Sequence, residues 1–179
     1  MVNNIILASK SKVRKNILEK NNISCNVKPS YVDEDMVKAS LLNEKASPEI
    51  ISKNLAELKA NKVSSKNHEQ FVLGADSVIS LNNELINKPK SRDEALKILK
   101  KLNNSKHYLI SSVCISKNGA MIWNHSDQSE LKMKNFKEEE LIQYLNRIKT
   151  KILLMYGVYQ VEADGLELFE YIKGDQDSI

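Results

Sequence analysis

Apolar positions along this chain come in two patterns. Short continuous runs suit buried strands, and runs spaced three and four apart suit helices. Residues 4–8 (NIILA) are the first continuous run, and Val13, Ile17 and Leu18 then recur at helical spacing over 12–22. Ser47-Pro48-Glu49 predicts a helix start, with an N-cap serine, proline in the first helical position and an acidic first turn. Ile51, Leu55, Leu58 and Lys62 share one stripe, which predicts an apolar helix face through about Val63. Residues 71–75 (FVLGA) predict a buried strand running to Asp76, and 78–86 (VISLNNELI) a hairpin turning at Asn82-Asn83.

Ser91-Arg92-Asp93-Glu94 is a capping box that leads into Ala95, Leu99 and Leu102 on one helical face. Residues 107–133 are strand-rich around a turn at Asn118-Gly119. Asn135 with Glu138 predicts the cap of another helix, which uses Leu141, Ile142, Leu145 and Ile148. Residues 159–172 read as extended segments turning at Asp164-Gly165. Strands and helices are interspersed without the strict βαβα order of a doubly wound parallel sheet, so the expected class is mixed α/β. No repeat, low-complexity tract or Pro/Gly/Ser-rich linker marks a boundary, and residues 1–179 are expected to form one domain, with room for two lobes.

Composition narrows the function classes. At 179 residues, 41% hydrophobic and 28% charged, the chain can bury a core without disulfides or a structural metal. Cys25 and Cys114 belong to no CxxC or Cys/His pattern, which fits two reduced thiols rather than a zinc site. The apolar stretch near the N-terminus is too short for a signal-peptide core or a membrane span, so a soluble, cytoplasmic protein is expected. The net charge of +4 comes from lysines dispersed along the chain. Dispersed lysine suits a solvated surface or a funnel for polyphosphate better than a nucleic-acid duplex. With three Phe and one Trp there is no evident platform for stacking single strands.

Two segments carry candidate chemistry. In Leu7-Ala8-Ser9-Lys10-Ser11-Lys12-Val13-Arg14, a strand ends and a helix begins among hydroxyls and a guanidinium. Free amides and the helix dipole at such a start attract phosphate, although a plain serine cap would read the same way. In Gly74-Ala75-Asp76-Ser77, a carboxylate follows an apolar strand, where it is costly to bury unpaired. Asp76 could hold Mg²⁺, act as general base on water, or simply occupy a turn. Lys59 and Lys88 taken singly read as surface lysines, and Asp33-Glu34-Asp35 as a solvated acidic loop with the option of metal ligation. His68, His107 and His125 have no metal-ligand spacing, and no G-x-S-x-G elbow or Walker A loop occurs.

The order of these pieces is more specific than any one of them. LAS-x-S-x-x-R, then DE, LA-x-x-KA, GAD, KP and a later His, from Ile5 to about Asp175, resembles the Maf family of nucleotide pyrophosphatases. That family hydrolyses nucleoside triphosphates between the α and β phosphates. The resemblance implies a two-lobed Maf/ITPase-like fold, with a twisted central sheet, flanking helices and a central cleft. It also implies a divalent metal, Mg²⁺ or Mn²⁺, and a homodimer. By the same resemblance Asp76, Glu34 and Lys88 are catalytic, with Asp76 and Glu34 also near the metal. Ser9, Ser11, Arg14 and Lys59 would bind the phosphates, and Glu162 falls where the family reads the base.

The chain departs from the family pattern in places. Lys12-Val13-Arg14 replaces a common Pro-Arg-Arg, and a proteobacterial branch with Ser-Ala-Ile-Arg is closer. Asn103-Asn104-Ser105-Lys106-His107 lacks the Gly and Arg of the family's Ser-Gly-Arg-x-His turn, and Tyr156-Gly157-Val158-Tyr159 replaces Ala-Gly-x-Tyr. Family members continue through a Gly-Leu-Pro turn and a terminal helix, so an end at Ser178-Ile179 would expose apolar surface on that helix's neighbours. These departures keep open a catalytically weak nucleotide-binding regulator of the same fold. A nucleic-acid module is disfavoured by the apolar approach to Asp76 and the lack of a basic block.

Overall fold

The structure, a computed structural model, describes residues 5–161, 164–175, 177 and 178. Among the described residues, seven strands pair in the order β2-β1-β3-β5-β6-β7, with β4 pairing β3. The strands are β1 (Ile5–Leu7), β2 (Cys25–Val27), β3 (Val72–Leu81), β4 (Glu84–Ile86), β5 (Lys106–Lys117), β6 (Ala120–Met133) and β7 (Phe169–Lys173). The helices are α1 (Lys12–Lys20), α2 (Glu34–Asn43), α3 (Pro48–Ser64), α4 (Arg92–Leu102), α5 (Glu138–Arg147) and α6 (Thr150–Tyr156). A mixed α/β fold is what the interspersed patterns require. The chain divides into two compact units, residues 1–77 with 110–127 and residues 78–109 with 128–179. Strands β3, β5 and β6 contribute residues to both.

In the first unit, β1 pairs in parallel with both β2 and β3. Ile6 and Ala8 donate their amides to Phe71 and Leu73 carbonyls at 2.9 and 2.8 Å, which brings Ser9 beside the segment leading to Asp76. Helix α3 begins as the sequence predicts, with Ser47 Oγ accepting from the Ile50 amide and Pro48 in the first turn. Its buried face differs from the predicted stripe. Ser52, Ala56, Lys59, Ala60 and Ser64 are buried alongside Ile51 and Leu55, whereas Leu58 is exposed. The inward face is rotated because small residues let α3 approach β3 closely. A Cβ on Gly74 would lie 2.2 Å from the Ala56 carbonyl oxygen and 2.9 Å from Ala60 Cβ.

The second unit holds the largest apolar cluster, in which Ala95, Leu99 and Leu102 of α4 pack with Leu131, Met133, Leu141, Tyr144, Leu145 and Phe169. The hairpin from β3 into β4 turns at Asn82 and Asn83, whose φ values of 52° and 63° suit the twist of two-residue turns. Several expectations change here. Helix α5 is not capped by Asn135: it begins at Glu138 after Lys137, whose amide donates to Glu140 Oε2 at 2.7 Å. Tyr144 replaces Ile142 on its buried face. Helix α6 falls where no helix was expected, and the predicted turn at Asp164-Gly165 opens a short 3-10 helix, Asp164–Leu168. Among the described residues, no helix is long and apolar enough to cross a membrane.

Candidate active site

Six of the eight site residues predicted from sequence lie in the first unit, and the structure links them through three elements, the start of α1 and helix α3 against β3, and α2 through Lys59. The first is the turn from β1 into α1. Ser11 is the N-cap, its Oγ accepting from the Arg14 amide at 3.3 Å, while the Ser11 amide donates to Ser9 Oγ at 3.2 Å. The first turn of α1 carries no acidic residue, so its partial positive charge is uncompensated by carboxylates of its own. Arg14 reaches across to β3. Its Nη1 donates to the Ala75 carbonyl at 2.9 Å and to Ser9 Oγ at 3.3 Å, and Nη2 donates to Ser77 Oγ at 3.3 Å. Burial pushes the Arg14 pKa below its ordinary value, while the nearby Asp76 and Glu34 carboxylates pull it back up. A guanidinium remains charged under such a shift.

The second element is α3. Close approach at Gly74 sets Lys59 against Asp76, and Lys59 Nζ lies 2.6 Å from Asp76 Oδ1. Both are buried, at 6% and 5% exposure, which corrects the reading of Lys59 as a surface lysine. Paired charges of this kind are costly to bury, and removing one partner leaves the other stranded. Ser52 Oγ, on the same helix face, donates to the Asp76 carbonyl at 3.2 Å. Asp76 does not end its strand: β3 continues through it to Leu81.

Glu34 comes from a third direction. Asp33-Glu34-Asp35 is not a loop but the start of α2, with Asp33 Oδ1 accepting from the Met36 amide at 3.0 Å. Acidic residues suit a helix N-terminus, so the run has a local electrostatic reason. Glu34 Oε1 then sits 2.7 Å from Lys59 Nζ, and Lys38 Nζ lies 3.8 Å from Glu34 Oε2. Lys59 is therefore shared by two carboxylates. The remaining oxygen of Asp76, Oδ2, is buried and without a hydrogen-bond partner.

Lys88 is exposed and lies in the second unit, after β4. Glu162 lies outside the described residues. Sequence reasoning missed Ser52, Lys38, and the Ser77 and Ser111 hydroxyls, which lie 3.0 Å apart beside Arg14. Only the four-residue spacing of Glu34 and Lys38 carried a signal, as a helical ion pair.

With this geometry in view, the model of a family described as Maf-like protein matches residues 4–179. The chain belongs to the Maf family. Among similar proteins, the nucleoside triphosphate pyrophosphatase of Pelagibacter ubique is 60% identical over 179 residues, all of this chain and 92% of that protein. The protein of the same name from Ruegeria pomeroyi is 38% identical, over 96% of this chain and 86% of its own length. The 7-methyl-GTP pyrophosphatase of Rhizobium etli is 34% identical, over 98% of this chain and 88% of its own length. The DE, LA-x-x-KA and GAD motifs of this Maf chain thus meet in one Lys–carboxylate cluster, while Lys88 of the KP motif lies in the second unit. Its later His is a packing residue, since His107 is buried and its Nε2 hydrogen-bonds Tyr159 Oη at 3.0 Å.

Proposed function

We propose that this chain is a nucleoside triphosphate pyrophosphatase, which uses water to convert a nucleoside triphosphate to the monophosphate and pyrophosphate. The observation that carries the assignment of roles is the buried Asp76–Lys59 pair with the half-exposed Glu34 on the same ammonium, in which one Asp76 oxygen has no partner. The similarity to proteins named as nucleoside triphosphate pyrophosphatases supports the reaction. Splitting the anhydride loads negative charge onto the leaving pyrophosphate, and Lys59 and Arg14 supply fixed positive charge for it. Ser9, Ser11 and the start of α1 add donors suited to phosphate oxygens. Asp76 Oδ2, which is buried and has no hydrogen-bond partner, would be the base that takes a proton from water. The roles of Lys88 and Glu162 rest on sequence resemblance alone.

A divalent metal fits the donor set. Mg²⁺ is held by one or two carboxylates together with substrate phosphates, and among the described residues no cluster of three His, Cys, Asp or Glu forms a full protein cage. In that case Asp76 serves as ligand rather than base: its unpartnered oxygen would hold the ion, with Glu34 nearby. Bound there, Mg²⁺ or Mn²⁺ would neutralise phosphate charge. The free thiols Cys25 and Cys114 suit the reducing cytoplasm, where nucleoside triphosphates are abundant. The homodimer implied by the resemblance is checked by light scattering.

The decisive assay follows pyrophosphate release from canonical and modified triphosphates, 7-methyl-GTP included, with Mg²⁺ and Mn²⁺. Asp76→Asn is expected to lower turnover by about a thousandfold while still binding nucleotide. A wild-type protein that binds nucleotide yet releases no pyrophosphate from any of them would replace the enzyme with a nucleotide-binding regulator.

A further inference from the structure

Three helical pairs of glutamate and lysine spaced by four residues differ in one respect. Lys15 with Glu19 and Lys53 with Glu49 lie on solvated faces, their lysines 43% and 45% exposed. Lys38 is only 14% exposed, although its contact to Glu34 is the longest of the three at 3.8 Å. Withdrawing an ammonium from water is costly, and a long contact to one carboxylate is poor compensation for an ordinary surface pair. The distinction lies in what Glu34 does next. Its other oxygen accepts from Lys59, which in turn meets Asp76, so four side chains form an alternating chain: Lys38, Glu34, Lys59, Asp76.

We propose that Lys38 is a positioning residue for pyrophosphate release, acting through Glu34. An ammonium has three N–H donors, and Lys59 uses one on Asp76 and one on Glu34, which leaves one for a phosphate oxygen. Triphosphate brought to that third donor repels the Glu34 carboxylate. A cation near the far oxygen of Glu34 opposes that displacement, and Lys38 Nζ lies 3.8 Å from that oxygen. Holding Glu34 fixes the direction of Lys59, and hence the geometry in which the leaving group is stabilised. This inference rests on the pyrophosphatase reading.

The test measures steady-state pyrophosphate release for wild type, Lys38→Met, Lys38→Arg, Glu34→Gln and the Lys38→Met/Glu34→Gln double variant. Lys38→Met is expected to lower kcat about tenfold with KM changed less than about twofold, and Lys38→Arg to restore most of it. In the Glu34→Gln background, Lys38→Met should cost little more, because its route to the chemistry is already cut. If Glu34→Gln is too slow to measure, the kcat–KM split and the arginine rescue decide the matter. Melting curves check that Lys38→Met is folded, with Lys38→Gln as the substitute if it is not. An unchanged kcat, a loss that arginine does not rescue, or a full additional loss on Glu34→Gln overturns the proposal while the enzyme stands. A wild type without pyrophosphate release overturns the pyrophosphatase reading itself and this role with it.

Discussion

A methyl group at Gly74 would lie 2.2 Å from the Ala56 carbonyl oxygen and 2.7 Å from the Ala60 amide nitrogen, both backbone atoms of α3. Neither can rotate away, so the helix must retreat from β3, and Lys59 must retreat with it from Asp76. Gly74→Ala is therefore expected to cost about 1–3 kcal/mol of stability, the range for overpacking a close contact. It should also reduce pyrophosphate release although no polar group is changed. Thermal melts and turnover measured together check this, and an unaltered melting point with full activity would show that the strand and helix separate cheaply. The same contact explains what single residues hid in the sequence. Lys59 read as a surface lysine because a lysine taken singly is ordinarily solvated, and the small Ala56 and Ala60 beside it did not announce the close approach that buries it.

Elements whose ends carry strong local signals were legible, and those relying on tertiary contacts were not. Ser47-Pro48 and Ser91 cap helices where the sequence places them, each serine accepting from an amide three residues on. Helix α2 is the exception: Asp33 caps it and Glu34 and Asp35 follow in its first turn, but an acidic run with no buried residue among those described in the helix behind it reads equally as a solvated loop. Helix α6 is seven residues long and runs Ile-Leu-Leu-Met-Tyr without periodicity. What secures its start is a side chain from elsewhere. Arg92, in the first turn of α4, donates Nε to Thr150 Oγ1 at 2.8 Å and Nη1 to the Leu145 carbonyl at 2.7 Å, and its Nη2 bonds the Ile148 carbonyl. One guanidinium thus satisfies carbonyls at the C-terminal end of α5, where the helix dipole favours a cation, and ties them to the start of α6. Arg92→Met is expected to destabilise the second unit by about 2–3 kcal/mol, since bonds from a charged donor are lost and the Ile148 carbonyl is left without its donor, while the Leu145 carbonyl keeps the Ile148 amide. Chemical denaturation of the variant checks it, and a midpoint equal to wild type would mean that water replaces the arginine without cost.

At the scale of the whole chain, the net charge of +4 says little about function, because many of the lysines spread along the sequence are paired on the surface, as Lys100 is with Glu138 and Lys101 with Glu84. The informative ionisable group for stability is buried in the second unit. His107 packs against both Tyr159 and Phe169, ring centroids 5.7 and 5.8 Å away, and burial drives its pKa down from 6.5 to about 4. Burial also raises the Tyr159 pKa, so the phenol beside His107 stays neutral. Between about pH 4 and 6.5 the unfolded chain therefore binds a proton at this position that the folded chain does not. Stability from His107 is complete above about pH 6.5 and declines as the pH falls toward 4, by about 3 kcal/mol at most for a shift of this size. Other carboxylates contribute to acid sensitivity, Glu130 among them, its pKa held low by the Tyr171 hydroxyl. A direct comparison isolates the imidazole. In denaturant titrations from pH 7.5 to 4.5, the stability of His107→Gln should start lower than wild type and fall less steeply, so the two curves converge at acid pH. Curves that stay parallel throughout would show that His107 does not titrate on unfolding, and would move the source of acid sensitivity to the carboxylates.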